Sequence, residues 1–246
     1  MQPFAERLAG WRSSLGELER WLLPAACLLC DAPIAEREAD ALVCALCRSR
    51  WRPVPGPQCP RCGQPRSGDL ACRICAEWPA GLRRVRSAVW LEESARHVVH
   101  RLKYDGWWRV AEAMAEAMHG LEPLTGRVSL IPVPLGTRRA RERGYNQSER
   151  IAVALGRLVG APVRTDILRR VRETRSQTTL TPEARQANLD GAFACRGAGG
   201  VSVVLVDDVF TTGATLVSAA SALAAAGAAV VDGVTFARAT EPVAWT

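Results

Sequence analysis

Apolar and polar positions follow two alternating patterns between residues 84 and 238. Strand-length apolar runs occur in VRSAVWLEE, VSLIPVP, VSVVLVDD and AVVDGVTFAR. Segments with apolar residues at helical spacing lie between these runs: ESARHVVHRLKYD, residues 110–121, NQSERIAVALGRLVG and residues 215–226. A further strand pair is expected at residues 167–171 and near Phe193, around a long polar insertion. Strands that alternate with helices predict an α/β fold with a mostly parallel, doubly wound sheet.

The residues before this region are organised differently. Residues 1–23 place apolar side chains near one stripe and predict an amphipathic helix; they are Phe4, Leu8, Trp11, Leu15, Leu18 and Leu22. Residues 24–80 are rich in cysteine, proline and glycine, as expected of a small metal-stapled domain, and residues 81–246 form the α/β domain. The N-terminus has no signal-peptide core, and no run of ~18 apolar residues exists in the sequence. We therefore expect a cytoplasmic protein without a membrane span.

The cysteines predict two metal sites. Eight of the nine form four CxxC pairs: Cys27 and Cys30, Cys44 and Cys47, Cys59 and Cys62, Cys72 and Cys75. Disulfides are disfavoured in a cytosolic chain, and four pairs make two Cys₄ sites, most simply for structural zinc. A redox function would need one exposed CxxC rather than four in succession. Sequential and crossed pairing of the four motifs both remain open. Cys195 has no partner and is expected to be a small buried residue.

The segment VVLVDDVFTTGAT is the most informative one for function. An apolar strand leads into Asp207 and Asp208, and a short loop then precedes an alanine-rich helix. Such a helix N-terminus favours phosphate, and a small Gly213 lets backbone N–H groups surround it. Carboxylates only accept hydrogen bonds, so the acids suit ribose hydroxyls or a divalent cation. A P-loop ATPase is excluded because GxxxxGK[ST] is missing and Lys103 is the only lysine.

This segment resembles the ribose-5-phosphate loop of type I phosphoribosyltransferases, which bind phosphoribosyl pyrophosphate (PRPP). The resemblance implies that Asp207 and Asp208 are catalytic and hold the ribose hydroxyls. It also implies that the loop binds the 5-phosphate of PRPP through Thr211, Thr212, Gly213, Ala214 and Thr215.

Positive charge is concentrated in one stretch of the chain. The formal net charge is +7, and residues 138–185 hold 12 arginines against 5 acids. Four of these arginines lie in an expected loop after VSLIPVP: Arg138, Arg139, Arg141 and Arg143. Arginine forks suit a pyrophosphate, whereas the alternative is a solvated basic face on a helix. A highly anionic small molecule or a nucleic acid would account for this charge.

The stretch RETRSQTTLTPEARQANLDGAF is long and polar enough to act as a lid over a reactive ribosyl centre. With PVPL, RRARERGYNQ, VVLVDDVFTTGAT, LKYDG and the cysteine module, it resembles the ComF/GntX-like family over nearly the whole chain. That resemblance implies a double zinc ribbon joined to a type I phosphoribosyltransferase-like domain, two zinc ions, Mg²⁺ with PRPP, and an association with DNA uptake in natural competence. It places Arg139, Arg143 and Gln147 on the pyrophosphate side, and Gln177, Arg185 and Asn188 in the lid.

Three hypotheses of function follow. The first is an enzyme of phosphoribosyl transfer. The second is a non-catalytic sensor of PRPP or nucleotides whose zinc ribbon docks onto DNA or a DNA-uptake partner, and the third is a binder of single-stranded nucleic acid. Among the remaining residues, Lys103 and Tyr104 are expected to form a lip over the site. His97 and His100 are expected to be structural, and Trp107 and Trp108 to pack onto the sheet rather than stack on a base.

Overall fold

The computed structural model describes residues 25–34, 41–66, 72–172 and 191–239. These residues belong to two compact units, one up to Arg50 and the other from Trp51 onward. The predicted N-terminal helix lies outside the described residues. So do the predicted lid residues Gln177, Arg185 and Asn188.

The first unit is a small fold built on short-range contacts. Ala26 forms an antiparallel bridge with Pro33. Helix α1 (Ala45–Ser49) begins at Cys44, whose side chain accepts a hydrogen bond from the backbone N–H of Cys47. A backbone hydrogen bond of 3.0 Å from the N–H of Leu28 to the carbonyl of Leu42 joins residues 25–34 to residues 41–50. Few apolar side chains are available here, so backbone bonds and cysteines define the fold.

The second unit is built on a parallel sheet of four strands: β1 (Arg84–Trp90), β2 (Ser129–Pro132), β5 (Ser202–Phe210) and β6 (Val230–Arg238). The spatial order is β1-β6-β5-β2, and Leu205 pairs with Ile131 on one side and Gly233 on the other. Strands β3 (Leu168–Arg170) and β4 (Phe193–Cys195) form a separate antiparallel pair. The predicted α/β class and parallel sheet are therefore confirmed.

Within the described ranges, five further helices connect or follow the strands: α2 (Glu93–Tyr104), α3 (Ala111–Met118), α4 (Thr137–Arg143), α5 (Gln147–Val159) and α6 (Ala214–Ala225). Single 3₁₀ turns lie at Trp108–Val110 and Glu122–Leu124. The ends of α5 follow from the sequence: the Asn146 side chain caps the backbone N–H of Ser148 at 3.0 Å, and Gly160 ends the helix with φ 69°. None of the helices in the described ranges is both long enough and apolar enough to cross a bilayer.

Each strand alternates its side chains between the two faces of the sheet, and helices cover these faces. Val203 and Leu205 of β5 lie in one core cluster with Leu216 and Leu223 of α6. Side chains at the intervening positions point to the opposite face. Helix α5 contacts β2 and β5, and α3 contacts β1, β6 and α5. The sheet is therefore buried between helical layers, which accounts for its continuous apolar runs.

One predicted loop is a helix in the structure. The arginine-rich residues after β2 form α4, which Gly144 ends with φ 74°. Arginine, alanine and glutamate favour helix, and Arg138 Nε donates to Glu142 Oε1 at 2.9 Å across one turn. The arginines therefore lie on a short helix that begins near the end of β2.

Residues 51–66 and 72–80 join the second unit through β1. The backbone N–H of Val54 donates to Ala88 O at 3.2 Å, and that of Val85 donates to Arg61 O at 2.7 Å. The composition of the sequence changes at residues 79–81, whereas the compact units divide between Arg50 and Trp51. The second pair of CxxC motifs is thus part of the same unit as the sheet.

Candidate ligand site and four-cysteine clusters

Eight cysteines form two clusters. Cluster 1 consists of Cys27, Cys30, Cys44 and Cys47, and cluster 2 of Cys59, Cys62, Cys72 and Cys75; within each, all four sulfurs lie within 4.8 Å of one another. The Sγ–Sγ distance is 3.8 Å for Cys30 and Cys44, and 3.4 Å for Cys62 and Cys72. A tetrahedral zinc ion with Zn–S bonds of about 2.3 Å separates its sulfurs by ~3.8 Å. Two Cys₄ zinc sites therefore fit, with the CxxC motifs paired sequentially.

Each cluster also contains a thiol that is easily deprotonated. Burial raises the pKa of Cys59, but backbone N–H groups of Cys62 and Arg61 donate to its sulfur and bring that pKa down to about 6. In cluster 1, burial is likewise outweighed by backbone hydrogen bonds from Cys44 and Leu29, and the pKa of Cys27 falls to about 7. Thiolates are the form that binds zinc, so Cys27 and Cys59 are suited to metal binding, whereas burial raises the pKa of Cys47, Cys62 and Cys75.

A cavity of about 1140 Å³ lies at the carboxyl edge of the parallel sheet. Its wall includes the residues after β2 and β5, one side of α2, and parts of α4 and the start of α6. In parallel α/β sheets this edge is where ligands bind, because loops and helix N-termini converge there. The predicted site residues that line the cavity are Asp207, Asp208, Thr211, Gly213, Ala214, Thr215, Arg139, Arg143 and Gln147.

The two acids line this cavity. Asp207 and Asp208 are buried, with 8% and 3% of their surface exposed. Asp207 Oδ1 accepts a hydrogen bond of 2.7 Å from Ser148 Oγ, and Asp208 Oδ2 lies 2.6 Å from Lys103 Nζ. Lys103 also lines the cavity. The acids thus face the cavity, and each already has a polar partner.

Two adjacent carboxylates in a buried site perturb each other. Burial raises the pKa of Asp207 to about 7, and the charge of Asp208 acts in the same direction. The Ser148 hydroxyl and the Lys103 ammonium group oppose this rise but do not cancel it. A perturbed carboxyl in a cavity is typical of a functional site, since a cation or a hydroxyl donor bound beside it would relieve the repulsion.

The loop after β5 has the backbone conformation expected of a tight strand-to-helix turn. Gly213 precedes α6 with φ 82°, a region that favours glycine. A Cβ atom at this position would overlap the Trp78 ring and lie 3.0 Å from Phe210 Cε2. Thr212 does not line the cavity; its Oγ1 accepts a 3.4 Å hydrogen bond from the backbone N–H of Ala214. Thr212 therefore shapes the loop, while its neighbours face the cavity.

Helix α4 presents cations to the same cavity. Arg143 Nη1 donates to Gln147 Oε1 at 2.8 Å, and its guanidinium carbon lies 5.2 Å from the centre of the Tyr104 ring. Arg138 and Arg139 line the cavity as well. This hydrogen bond holds Arg143 and Gln147 together in the wall of the cavity.

The structure adds residues that the sequence analysis did not assign to the site. Ser148, the second residue of α5, holds Asp207 through its hydroxyl group. Arg170, at the end of β3, also lines the cavity. One stripe of α2, whose members recur at helical spacing, lines the cavity too: Arg96, Val99, His100 and Lys103. Of these, His100 was expected to be structural. The spacing of this stripe was visible in the sequence, but the side of the sheet it faces was not.

The two adjacent tryptophans lie at the surface rather than on the sheet. Trp107 and Trp108 are 42% and 41% exposed, and neighbouring Tyr104 is 65% exposed. The guanidinium carbon of Arg150 lies 4.5 Å from the centre of the Trp108 ring. The expected packing of these rings onto the sheet is therefore not observed, because α2 ends at Tyr104 and the chain turns outward at Gly106.

Comparison with known proteins agrees with this architecture. A family model described as "Double zinc ribbon domain" matches residues 18–76. "Competence protein ComFC" of Bacillus subtilis is 30% identical over 222 residues, which cover 82% of this chain and 90% of that protein. "DNA utilization protein YhgH" of Salmonella typhi is 32% identical over 222 residues, covering 85% and 95%. "Competence protein F" of Haemophilus influenzae is 39% identical over 92 residues, covering 36% of this chain and 40% of that protein.

Proposed function

Because the chain belongs to the ComF-like family, we propose that it has a competence-associated role in which it binds Mg²⁺–PRPP and transfers the phosphoribosyl group to a nitrogen acceptor. Relatives named as competence and DNA utilization proteins support the coarser part of this proposal. The chemistry rests on one observation: twin buried acids, a threonine-glycine loop and an arginine-bearing helix surround a single cavity at the carboxyl edge of the sheet.

The charges of the cavity suit a polyanionic ligand. Six cationic side chains line it against three carboxylates. In a concave site with low-dielectric walls, such an excess concentrates anions and speeds their association. The proposed ligand carries a 5-phosphate and a pyrophosphate, so it is more highly charged than a simple nucleoside monophosphate. Mg²⁺, when bound with the pyrophosphate, would neutralise part of that charge.

The 5-phosphate, the pyrophosphate and the ribose hydroxyls of PRPP each have a proposed partner in the cavity. The 5-phosphate is bound by Thr211, Thr215 and the backbone N–H groups at the start of α6. The pyrophosphate is bound by Arg139 and Arg143, with Gln147 holding the Arg143 guanidinium in place. The carboxylates of Asp207 and Asp208 accept hydrogen bonds from the ribose hydroxyls, and Lys103 must give up part of its contact with Asp208 as they bind.

The transfer step forms a bond from the acceptor nitrogen to C1 of the ribose. The bond from C1 to the pyrophosphate oxygen breaks, its electron pair leaves with pyrophosphate, and the nitrogen loses a proton. Positive charge develops on the sugar ring as this bond lengthens. The two fixed carboxylates that hold the ribose stabilise that charge more than they stabilise the neutral ground state, which lowers the barrier.

The binding proposal is tested by calorimetry with Mg²⁺–PRPP. We expect the double variant Asp207→Asn, Asp208→Asn to bind at least about 100-fold more weakly, since two charge-assisted hydrogen bonds are lost. Asp166→Asn is the matched control, because Asp166 is exposed, pairs with Arg164 at 3.0 Å and lies outside the cavity lining. Equal binding by the wild type and the double variant would refute the assignment of the acids.

The transfer proposal needs a separate measurement. Release of pyrophosphate from Mg²⁺–PRPP is followed across a panel of nucleobases and other nitrogen acceptors. Release that depends on an acceptor supports transfer. Tight binding without release in any reaction supports the second hypothesis, a sensor of PRPP or nucleotides.

Contact with single-stranded nucleic acid is a second candidate function, and a specific surface favours it. Tyr104, Trp107 and Trp108 are exposed, and arginines lie over the rings of Tyr104 and Trp108. Aromatic rings interleaved with cations bind unpaired bases by stacking. Fluorescence anisotropy with a labelled oligothymidine tests it. Trp107→Ala with Trp108→Ala should weaken binding by about 1–3 kcal/mol per stacked base. Unchanged affinity, or affinity that does not fall with added salt, would count against this surface.

A further inference from the structure

A buried arginine joins cluster 2 to the end of β5. Arg238, the last residue of β6, is only 1% exposed. Its Nη1 donates to the carbonyl oxygen of Cys62 at 2.8 Å, and its Nε donates to Gln64 Oε1 at 3.0 Å. Its guanidinium carbon lies 4.1 Å from the centre of the Phe210 ring. Phe210 is the residue directly before Thr211, so this contact reaches the start of the loop.

Trp78 makes a second and more direct link between cluster 2 and the loop after β5. It follows the last cysteine of cluster 2, and its backbone N–H donates to Cys75 O at 3.2 Å. The guanidinium group of Arg61 lies 5.8 Å from its ring and donates to the carbonyl oxygens of Cys75 and Pro79. The Trp78 ring is thereby fixed from the cluster side.

The other side of the same ring contacts the loop. Trp78 and Phe210 have ring centres 6.0 Å apart. A Cβ atom at Gly213 would overlap the Trp78 ring, so the loop backbone approaches this ring as closely as glycine allows. Gly213 is buried and directly precedes α6, so the first backbone N–H groups of this helix follow it. The residues that carry them line the cavity. The position of those amides therefore depends on where the Trp78 ring lies.

From these contacts we infer that Trp78 is a positioning residue for the loop at residues 211–215, and that cluster 2 supports ligand binding by holding Trp78 in place. The ring does not touch the ligand. It limits the positions that the Gly213 backbone can occupy, which keeps the N–H groups of the loop aligned before a phosphate arrives. Pre-aligned donors bind more tightly because less order is lost on binding.

This inference rests on the proposed role of the loop in phosphate binding, but its first test needs no ligand. Hydrogen exchange is measured by mass spectrometry for the wild type, Trp78→Ala and Trp78→Phe. In Trp78→Ala we expect faster exchange for peptides that cover residues 207–216 and unchanged exchange for residues 128–134, which include β2. In Trp78→Phe we expect much of the protection to be restored. Trp51→Ala is the matched control, since Trp51 packs on Phe236 with ring centres 4.9 Å apart.

Zinc content and ligand affinity complete the test. Trp78→Ala should keep the same zinc stoichiometry as the wild type, and its Kd for Mg²⁺–PRPP should rise roughly tenfold. If the wild type fails to bind Mg²⁺–PRPP, the proposed function is wrong. Hydrogen exchange at residues 207–216 still tests whether Trp78 positions the loop. Unchanged exchange at residues 207–216, a uniform rise across the sheet, or the loss of one zinc equivalent would each overturn it.

Discussion

The two four-cysteine clusters have the same ligands but different surroundings. Cluster 1 belongs to a small unit whose described hydrogen bonds are local, such as that from Cys27 N–H to Ala32 O at 2.9 Å. Cluster 2 belongs to the unit that contains the sheet. Arg86 donates to Pro60 O at 3.1 Å, and Arg238 donates to Cys62 O at 2.8 Å, so side chains from β1 and β6 fix its backbone.

This difference shows that the metal ligands alone do not define the role of a zinc ribbon. Either cluster could hold its turns through a bound zinc ion. Cluster 2, however, accepts hydrogen bonds from side chains of two strands, and the neighbouring Trp78 ring packs on Phe210 at the end of β5. Its integrity is therefore coupled to the sheet. The role of each cluster depends on its neighbours.

The largest expected effect comes from removing one ligand from each cluster in turn. Cys62→Ser should lower the free energy of unfolding of the sheet-containing unit by more than about 3 kcal/mol, because a buried metal ligand is lost beside a buried arginine. Cys30→Ser, at an exposed ligand of cluster 1, should leave that transition almost unchanged. Calorimetry with parallel zinc analysis checks both. Equal destabilisation by the two variants would remove the contrast between the clusters.

A smaller effect is expected where cluster 2 contacts the loop. Gly213→Ala combines an unfavourable φ of 82° with overlap of the Trp78 ring, whereas Gly126→Ala changes a residue with φ 89° and no atom within 4 Å of the added Cβ. Gly126→Ala should cost about 1–2 kcal/mol, and Gly213→Ala about 1–3 kcal/mol more. Urea denaturation of both variants measures this difference.

The double variant Gly213→Ala, Trp78→Ala then isolates the contact. Removing the ring should relieve the overlap, so the two changes together should cost less than the sum of their separate costs. Strictly additive costs would mean that Trp78 does not restrict Gly213.

The last expected change in stability concerns the acids, and its dependence on pH separates it from the changes at both clusters. Because the pKa of Asp207 is raised to about 7 in the folded protein, above its ordinary value of 3.8, its ionisation opposes folding. Stability is therefore greatest below about pH 4 with respect to this group and declines as the pH rises through about 7. Asp207→Asn removes that decline, and Asn can still accept the hydrogen bond from Ser148.

Thermal unfolding of the wild type and Asp207→Asn at pH 5.5 and pH 8 measures this effect. We expect the variant to gain stability relative to the wild type at pH 8, by at most about 1.4 kcal/mol for each unit of the pKa shift. The gain should shrink at pH 5.5, and zinc content should stay the same. A stability difference that does not depend on pH would contradict the assigned pKa.

Much of the fold was predictable because its signals are local. The apolar runs predicted the parallel strands, and Asn146 and Gly160 marked the ends of α5 within one residue. The helix at Thr137–Arg143 was missed because a basic run directly after a strand is equally consistent with a loop. The candidate site was predictable in part, since the Asp207–Asp208 pair and the threonine loop are adjacent in sequence. The role of Ser148 was not predictable, because it depends on the distance between two different elements.

The sequence by itself determined the elements that short spacings specify: the strands, most of the helices, the CxxC motifs and the acidic strand end with its loop. These follow from the periodicity of side chains along a strand or helix and from the few ligand geometries that a CxxC motif allows. Only the tertiary structure decided that the CxxC motifs pair sequentially, that Lys103 meets Asp208, and that Trp78 lies against Gly213. Such contacts join residues far apart in the chain, and the packing of whole elements against the sheet brings them together.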